Sequence, residues 1–231
     1  MKLNVHEWGT GNRVALLIHG LFADHQNWYR VGPAIADRGY RVLAPDLRGH
    51  GASPRGRYSP ELWAADLVES LPQNAELAIG HSLAGMALAL AVKPLNAARA
   101  IYVDPTWKMT AQQHASFSAT WRGQLGWSDE QWRTANPRWA SGDIEARLGS
   151  MKRFDPACID GLAPGSGHDH MPQTASVPSL VLLADPSPFV TPQDAMLLQA
   201  GGFDVQIVQG TSHSMFREDF SLFMNAIDAW L

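Results

Sequence analysis

From Glu76 to Leu90 the chain dictates a local geometry that few folds accommodate. A short apolar run, Glu76-Leu77-Ala78-Ile79, breaks into Gly80-His81-Ser82 and resumes as Leu83-Ala84-Gly85-Met86-Ala87-Leu88-Ala89-Leu90. The first piece reads as a strand and the second as an alanine-rich helix, with space between them only for a tight turn. Ser82 stands at the apex. The positions two before and two after it, Gly80 and Ala84, are both small, as close backbone packing at such a turn demands. The helix points unpaired N–H groups and a partial positive charge back toward the turn. A serine hydroxyl is a poor nucleophile until it is exposed, oriented and paired with a base. This turn supplies exposure and orientation, so a base must come from elsewhere in the chain.

The strand-then-helix pattern repeats. Strands are expected near 40–44, 76–80, 99–103, 178–184 and 203–208, and helices near 28–38, 60–71, 83–93, 192–200 and 216–230. Alternation at this spacing predicts an α/β fold. Ahead of it, Leu3–Trp8 and Arg13–Ile18 flank Gly9-Thr10-Gly11-Asn12 and read as a hairpin. A length of 231 residues suits a single domain over 1–231. With 45% hydrophobic and 17% charged residues, the chain can bury a full core. A net charge of −4 without a basic stretch argues against nucleic acid as a partner. No apolar run reaches membrane length, and Met1–Glu7 lacks an apolar signal core, so a cytoplasmic protein without a membrane span is expected. The one cysteine, Cys158, excludes an internal disulfide. It follows Phe154-Asp155-Pro156-Ala157, not a strand and a turn, and is read as inert.

Nine histidines compete for the role of base, and His213 stands apart by position. It follows the expected last strand and the loop Gly210-Thr211-Ser212, just ahead of the last helix. Two further strings belong with it. Arg13–Ile18 ends in His19-Gly20-Leu21-Phe22, and Tyr40-Arg41-Val42-Leu43 leads into Ala44-Pro45-Asp46-Leu47-Arg48-Gly49-His50-Gly51. In this order these strings resemble the α/β-hydrolases, and Gly80-x-Ser82-x-Ala84 resembles their nucleophile elbow with alanine in place of its last glycine. The resemblance covers nearly the whole chain outside 106–172. It implies an α/β-hydrolase fold, with a mostly parallel sheet, helices on both faces and a helical lid inserted at roughly 106–172. It also implies Ser82 as nucleophile, His213 as general base, and the backbone N–H groups of Leu21 and Leu83 as the oxyanion hole. Leu21 and Phe22 are further expected to line the acyl pocket. His19, His50 and His81 fall in structural strings of the family and are given packing and hydrogen-bonding roles, whereas His6, His25 and His114 carry no signal. His168 and His170 flank Asp169 in a Gly/Pro-rich loop without a second ligand pair, so no metal is expected there. Gly165-Ser166-Gly167 follows no strand and is not a phosphate loop.

The acid of the triad has two candidates. In the resembling family it usually ends the strand before the histidine strand. Here that region runs Leu182-Leu183-Ala184-Asp185-Pro186-Ser187-Pro188-Phe189-Val190, and alignment on Pro188-Phe189-Val190 puts Ser187 in the acid's place. Asp185 lies two residues earlier, on the same strand face. Asp104 ends the preceding strand, Ala100-Ile101-Tyr102-Val103, where some members place the acid, but an aspartate before proline is also a common turn former. Asp185 is the preferred reading. Either carboxylate would hold the imidazole tautomer and stabilise the imidazolium.

Between Thr106 and Pro172 the alternation lapses. This interval holds Trp107, Trp121, Trp127, Trp132 and Trp139, five of the nine tryptophans, which suit an apolar roof. The resemblance thus implies a serine hydrolase that cleaves a small carboxylic ester, lactone or thioester, without a cofactor. Its expected substrate is a small molecule with an apolar or aromatic acyl portion. A serine at the elbow disfavours the haloalkane dehalogenase and epoxide hydrolase branches, which use aspartate there. Two other readings stand beside it: an acyltransferase or lyase with the same triad, and a ligand receptor that has lost turnover. Turnover of a short-chain aryl ester separates the receptor from the enzymes, and product analysis with added alcohol separates transfer from hydrolysis.

Overall fold

The computed structural model describes residues 1–163 and 169–231; His168 and the Gly165-Ser166-Gly167 string lie outside the described residues. Among the described residues seven strands form one sheet in the order β1-β3-β2-β4-β5-β6-β7. They are β1 (Val5–Trp8), β2 (Arg13–Ile18), β3 (Tyr40–Pro45), β4 (Leu77–His81), β5 (Ala100–Val103), β6 (Ser179–Leu183) and β7 (Asp204–Ile207). All neighbours run parallel except β1, which pairs antiparallel with β3, Val5 opposite Pro45 and Trp8 opposite Val42. The helices are α1 (Val31–Ala36), α2 (Pro60–Ser70), α3 (Leu83–Ala91), α4 (Ala111–Gln124), α5 (Asp129–Ala135), α6 (Ser141–Met151), α7 (Pro192–Ala200), α8 (Met215–Glu218) and α9 (Phe220–Ile227).

Successive residues of β2 serve different cores. Leu16 and Ile18 join Trp63 and Leu67 of α2, the buried face of α3 and Leu198 of α7. Ala15 and Leu17 join Val31 and Ile35 of α1 and Phe223 and Ile227 of α9. This is the period of two that a strand imposes. It explains why the central strands are apolar throughout: both faces are covered by helices.

The expected hairpin of Leu3–Trp8 with Arg13–Ile18 does not form, because β3 lies between them. All of β3 but Arg41 is buried, so it needs neighbours on both edges, whereas β1 is half-exposed and suits an edge. The Gly9–Asn12 connection passes under the turn that enters β3. A Cβ on Gly9, at φ +71°, would meet the Tyr40 carbonyl at 2.5 Å, and one on Gly11 would meet the Gly39 carbonyl at 1.9 Å. Those glycines permit a crossing, not a two-strand turn.

Two expected helices are also divided. The first becomes a 3₁₀ turn over His25–Trp28, capped by the Asp24 carboxylate, followed by α1. The last breaks at Asp219, whose extended backbone ends α8 while its side chain accepts from the Leu222 N–H at the start of α9. The interval between β5 and β6 holds α4, α5 and α6; α4 buries none of its residues, and capping boxes at Thr110 and Ser128 hold the starts of α4 and α5. No helix among the described residues is long and apolar enough to cross a membrane.

Candidate active site

Ser82 sits between the end of β4 and the start of α3 with φ 56° and ψ −119°. A residue bearing a Cβ rarely adopts such a backbone, and it persists only where the surroundings over-determine it. They do so here. The Ser82 N–H donates to the Val103 carbonyl (3.0 Å), and the Ser82 carbonyl accepts from Gly85 N–H (2.8 Å) and Thr106 N–H (3.2 Å). Gly80 is required, since a Cβ there would lie 2.8 Å from the Ala84 carbonyl oxygen. The end of β2 closes on the same point: a Cβ on Gly20 would meet Ser82 Cβ at 2.9 Å. Leu21 follows this contact and Leu83 is the first residue of α3. Neither N–H donates to an acceptor among the described residues.

Buried histidines hold these turns. His19 Nδ1–H donates to the Gly20 carbonyl (2.8 Å) while Nε2 accepts from the Leu47 N–H (3.0 Å), so the ring is neutral and its tautomer fixed. Burial holds its pKa below the ordinary histidine value. His50 donates to the Arg48 carbonyl (3.0 Å), and burial pulls its pKa down to about 3. His81 is pushed well down by burial and by the neighbouring His213, and its Nε2–H donates to the His213 carbonyl at 2.9 Å. His81 therefore ties the end of β4 to the loop after β7.

His213 Nδ1 lies 2.6 Å from Oδ2 of Asp104, not near Asp185. The imidazole thus pairs with Asp104, the alternative carboxylate, and not with Asp185, the preferred reading of the sequence. Asp104 is fully buried, and its other oxygen accepts from the Ala184 N–H at 3.2 Å. Asp185 is exposed and holds the base of the histidine loop instead. Its N–H donates to the Thr211 carbonyl (2.9 Å) and its carboxylate accepts from the Gly210 N–H (3.2 Å). The loop is thus pinned over the end of β6, and His213 reaches past it to the end of β5. Glu218 braces the same loop, accepting from Ser212 N–H (2.7 Å) and from Arg138 (2.5 Å).

A cavity of about 220 Å³ opens at Ser82 and His213, and Leu21, Phe22 and Phe189 share its wall. The interval between β5 and β6 adds Trp121, Gln124, Trp132, Asn136, Trp139 and Arg147. Trp107 does not reach it; fully buried, it donates to the Gly85 carbonyl (2.8 Å). Trp127 lies edge-on against Trp132. Arg147, which the sequence analysis did not single out, is buried in this wall. No local pattern marks it, because an arginine inside an amphipathic stretch reads as a solvated residue.

Asp24, His25 and Asp46 bring three potential metal-ligand atoms within 4.8 Å of one another. Each is engaged within the protein. Asp46 accepts from His25 Nδ1 (2.9 Å), Ala52 N–H and Asn4, and Asp24 pairs with Arg153 and caps the 3₁₀ turn. Asp169, exposed, lies 3.7 Å from Lys108. Cys158 is buried, and that burial pushes its thiol pKa up, away from reactivity.

Similarity to known proteins agrees with this geometry. The model of the alpha/beta hydrolase family matches residues 15–223. A stretch of 89 residues is 42% identical to epoxide hydrolase A of Mycobacterium tuberculosis, covering 35% of this chain and 28% of that protein. A stretch of 98 residues is 33% identical to esterase PIR7B of Oryza sativa subsp. japonica, covering 38% and 37%. The matches thus span well under half the length of these curated relatives. The solved structure of E-2-(acetamidomethylene)succinate hydrolase superposes with a TM-score of 0.80 at 20% identity, over 99% of this chain and 94% of that one, a likeness of fold. Since the family match runs from β2 through the serine turn and the His213 loop into α9, the chain belongs to the alpha/beta hydrolase family.

Proposed function

We propose that this hydrolase is a serine hydrolase that cleaves a small carboxylic ester, lactone or thioester through an acyl-enzyme. The observation that carries the reading is the 2.6 Å bond from His213 to buried Asp104, beside the cavity that Ser82 enters on its left-handed turn. Asp104 accepts a hydrogen bond from Nδ1–H, which leaves Nε2 as the base for Ser82. As His213 takes the hydroxyl proton, Ser82 Oγ bonds to the acyl carbon and the carbonyl electron pair moves onto oxygen. The N–H groups of Leu21 and Leu83 stabilise that oxyanion. Its collapse expels the alcohol or thiol, which leaves with the proton from His213. Water then attacks the acyl-enzyme with His213 again as base, the acid is released, and Ser82 regains its proton.

The helices between β5 and β6 act as the lid, and their tryptophans receive an apolar or aromatic part of the substrate. The esterase relative supports this reading. The epoxide hydrolase relative does not displace it, because this chain carries Ser82 at the elbow, where the family resemblance implies aspartate for epoxide hydrolases. The test is Ser82→Ala. Turnover of the best ester should fall by about 10⁴-fold or more with the melting curve unchanged. A serine-directed organophosphonate should add mass to the wild-type protein alone. Wild-type turnover by the alanine variant would overturn the mechanism.

A further inference from the structure

The cavity beside Ser82 contains a cation with no counter-ion among the described residues. Arg147, on α6, is 8% exposed and lines the cavity. Its Nη1 donates to the Phe22 carbonyl (3.0 Å), its Nε is buried without an acceptor, and no acceptor among the described residues takes Nη2. No carboxylate among the described residues lies within 4.0 Å of this guanidinium. Aromatic rings fix its place, with the Trp132 and Trp139 centroids 5.0 and 5.4 Å away.

A second buried cation stands behind it. Arg217, 2% exposed, lies 4.4 Å over the Trp139 ring, donates to Asn27 Oδ1 (2.6 Å), and keeps Nε and Nη1 buried without acceptors. The acids nearest these arginines have other partners. Asp24 pairs with Arg153, while Asp143 lies 3.7 Å from Arg30 and accepts from the Ala140 N–H. Asp104, buried beneath the cavity wall, is committed to His213. Burying a charge without a partner is costly, so an arginine kept in this state beside a reaction site calls for a partner that arrives with the ligand.

We infer that the substrate carries a carboxylate besides the bond that is cleaved, and that Arg147 binds it while Arg217 adds positive potential from behind Trp139. The substrate class is then the half-ester or half-thioester of a short dicarboxylic acid. The aromatic wall takes the carbon chain, and the planar guanidinium suits a carboxylate. This assignment rests on the serine-hydrolase reading for its cleavage step, but binding at Arg147 does not.

Two measurements separate the two claims. The first compares 4-nitrophenyl hydrogen glutarate with its neutral methyl ester on wild-type protein. The acid should show a kcat/KM about tenfold or more above the ester, as expected of a charge-assisted contact, carried mainly in KM. In Arg147→Met, kcat/KM for the acid should fall at least tenfold further than for the ester. Equal wild-type values, or an equal fall on both substrates, would overturn the inference and leave Arg147 as a support for the Phe22 carbonyl. The wild-type comparison decides even where Arg147→Met fails to fold. The second titrates glutarate and dimethyl glutarate into Ser82→Ala, reading tryptophan fluorescence. Saturable binding of glutarate alone, lost on adding Arg147→Met or Arg147→Gln, is expected. Its absence would overturn the carboxylate site, whereas ester turnover retained by Ser82→Ala would overturn the serine mechanism alone.

Discussion

Asp104 has two attachments that a carboxamide cannot reproduce together. One oxygen takes the His213 Nδ1–H at 2.6 Å and the other takes the Ala184 N–H at 3.2 Å, in a fully buried setting. Asparagine would keep one acceptor and turn an NH₂ toward a ring nitrogen or a backbone N–H. It would also remove the charge that stabilises the imidazolium. Asp104→Asn should therefore lower kcat by about 10⁴-fold while the protein stays folded. Asp185 is exposed, and asparagine can still accept from the Gly210 N–H, so Asp185→Asn should change stability by less than about 0.5 kcal/mol and kcat only slightly. Steady-state kinetics on both variants decides the ranking. The reverse order would mean that the His213 loop swings toward β6 during turnover.

At the scale of elements, the site depends on how closely α3 meets the loop after β5. Gly85, one turn into α3, faces Pro105, and a Cβ there would fall 2.4 Å from Pro105 Cβ and 3.0 Å from its Cα. Pro105 cannot swing aside as a flexible side chain would, and it is covalently next to Asp104. The Trp107 indole, bonded to the Gly85 carbonyl at 2.8 Å, and Thr106 N–H, bonded to the Ser82 carbonyl at 3.2 Å, draw the loop onto the helix. In Gly85→Ala the loop must move off, carrying Asp104 with it. The cost of such overpacking is about 1–3 kcal/mol, offset by up to about 1 kcal/mol from the better helix propensity of alanine. A lower urea midpoint together with a lower kcat is expected. An unchanged midpoint would show that the contact is looser than the Cβ distance indicates.

For the molecule as a whole, the buried histidines set the acid limit of stability. His19, His50 and His81 all have folded pKa values depressed by burial, His50 to about 3, against 6.5 when unfolded. Below about 6.5 the unfolded chain binds protons that the native state refuses. The stabilisation is thus complete above that value and is lost as pH falls toward the folded values. Each group contributes up to about 1.4 kcal/mol per pH unit in that window. His25 works in the opposite sense: its bond to Asp46 raises its pKa, so its contribution is present in acid and lost as pH rises. His6, held down by partial burial, joins the three, so one histidine opposes four. Urea midpoints measured from pH 7.5 to 5 should fall steeply, and a flat profile would remove the buried histidines from the account.

The serine turn and the run of strands were legible in the sequence because short-range physics makes them. Gly80, Ser82 and Ala84 satisfy steric demands within five residues, and the alternation of apolar runs follows from strand and helix periods. The same locality is why the sequence does not tell which aspartate meets His213. Asp104-Pro105 and Asp185-Pro186 each end an apolar strand with the same dipeptide, so nothing near either one distinguishes them. The choice is made by the path of a loop. Asp185 pins Gly210 and Thr211, and His213 then meets a carboxylate 109 residues away in the chain. Likewise, the Gly9–Asn12 string reads as a hairpin turn until a doubly buried β3 claims the space between its flanking strands. Arg147 looks like one more charged residue of a helix until folding surrounds it with Trp132, Trp139 and Phe22. Sequence by itself determines which segments are strands, turns and helices and that the serine stands at a strand-to-helix turn. Only the tertiary structure decides which distant charges share a buried space, because the energy of that pairing depends on burial and distance, and neither exists before the chain has closed on itself.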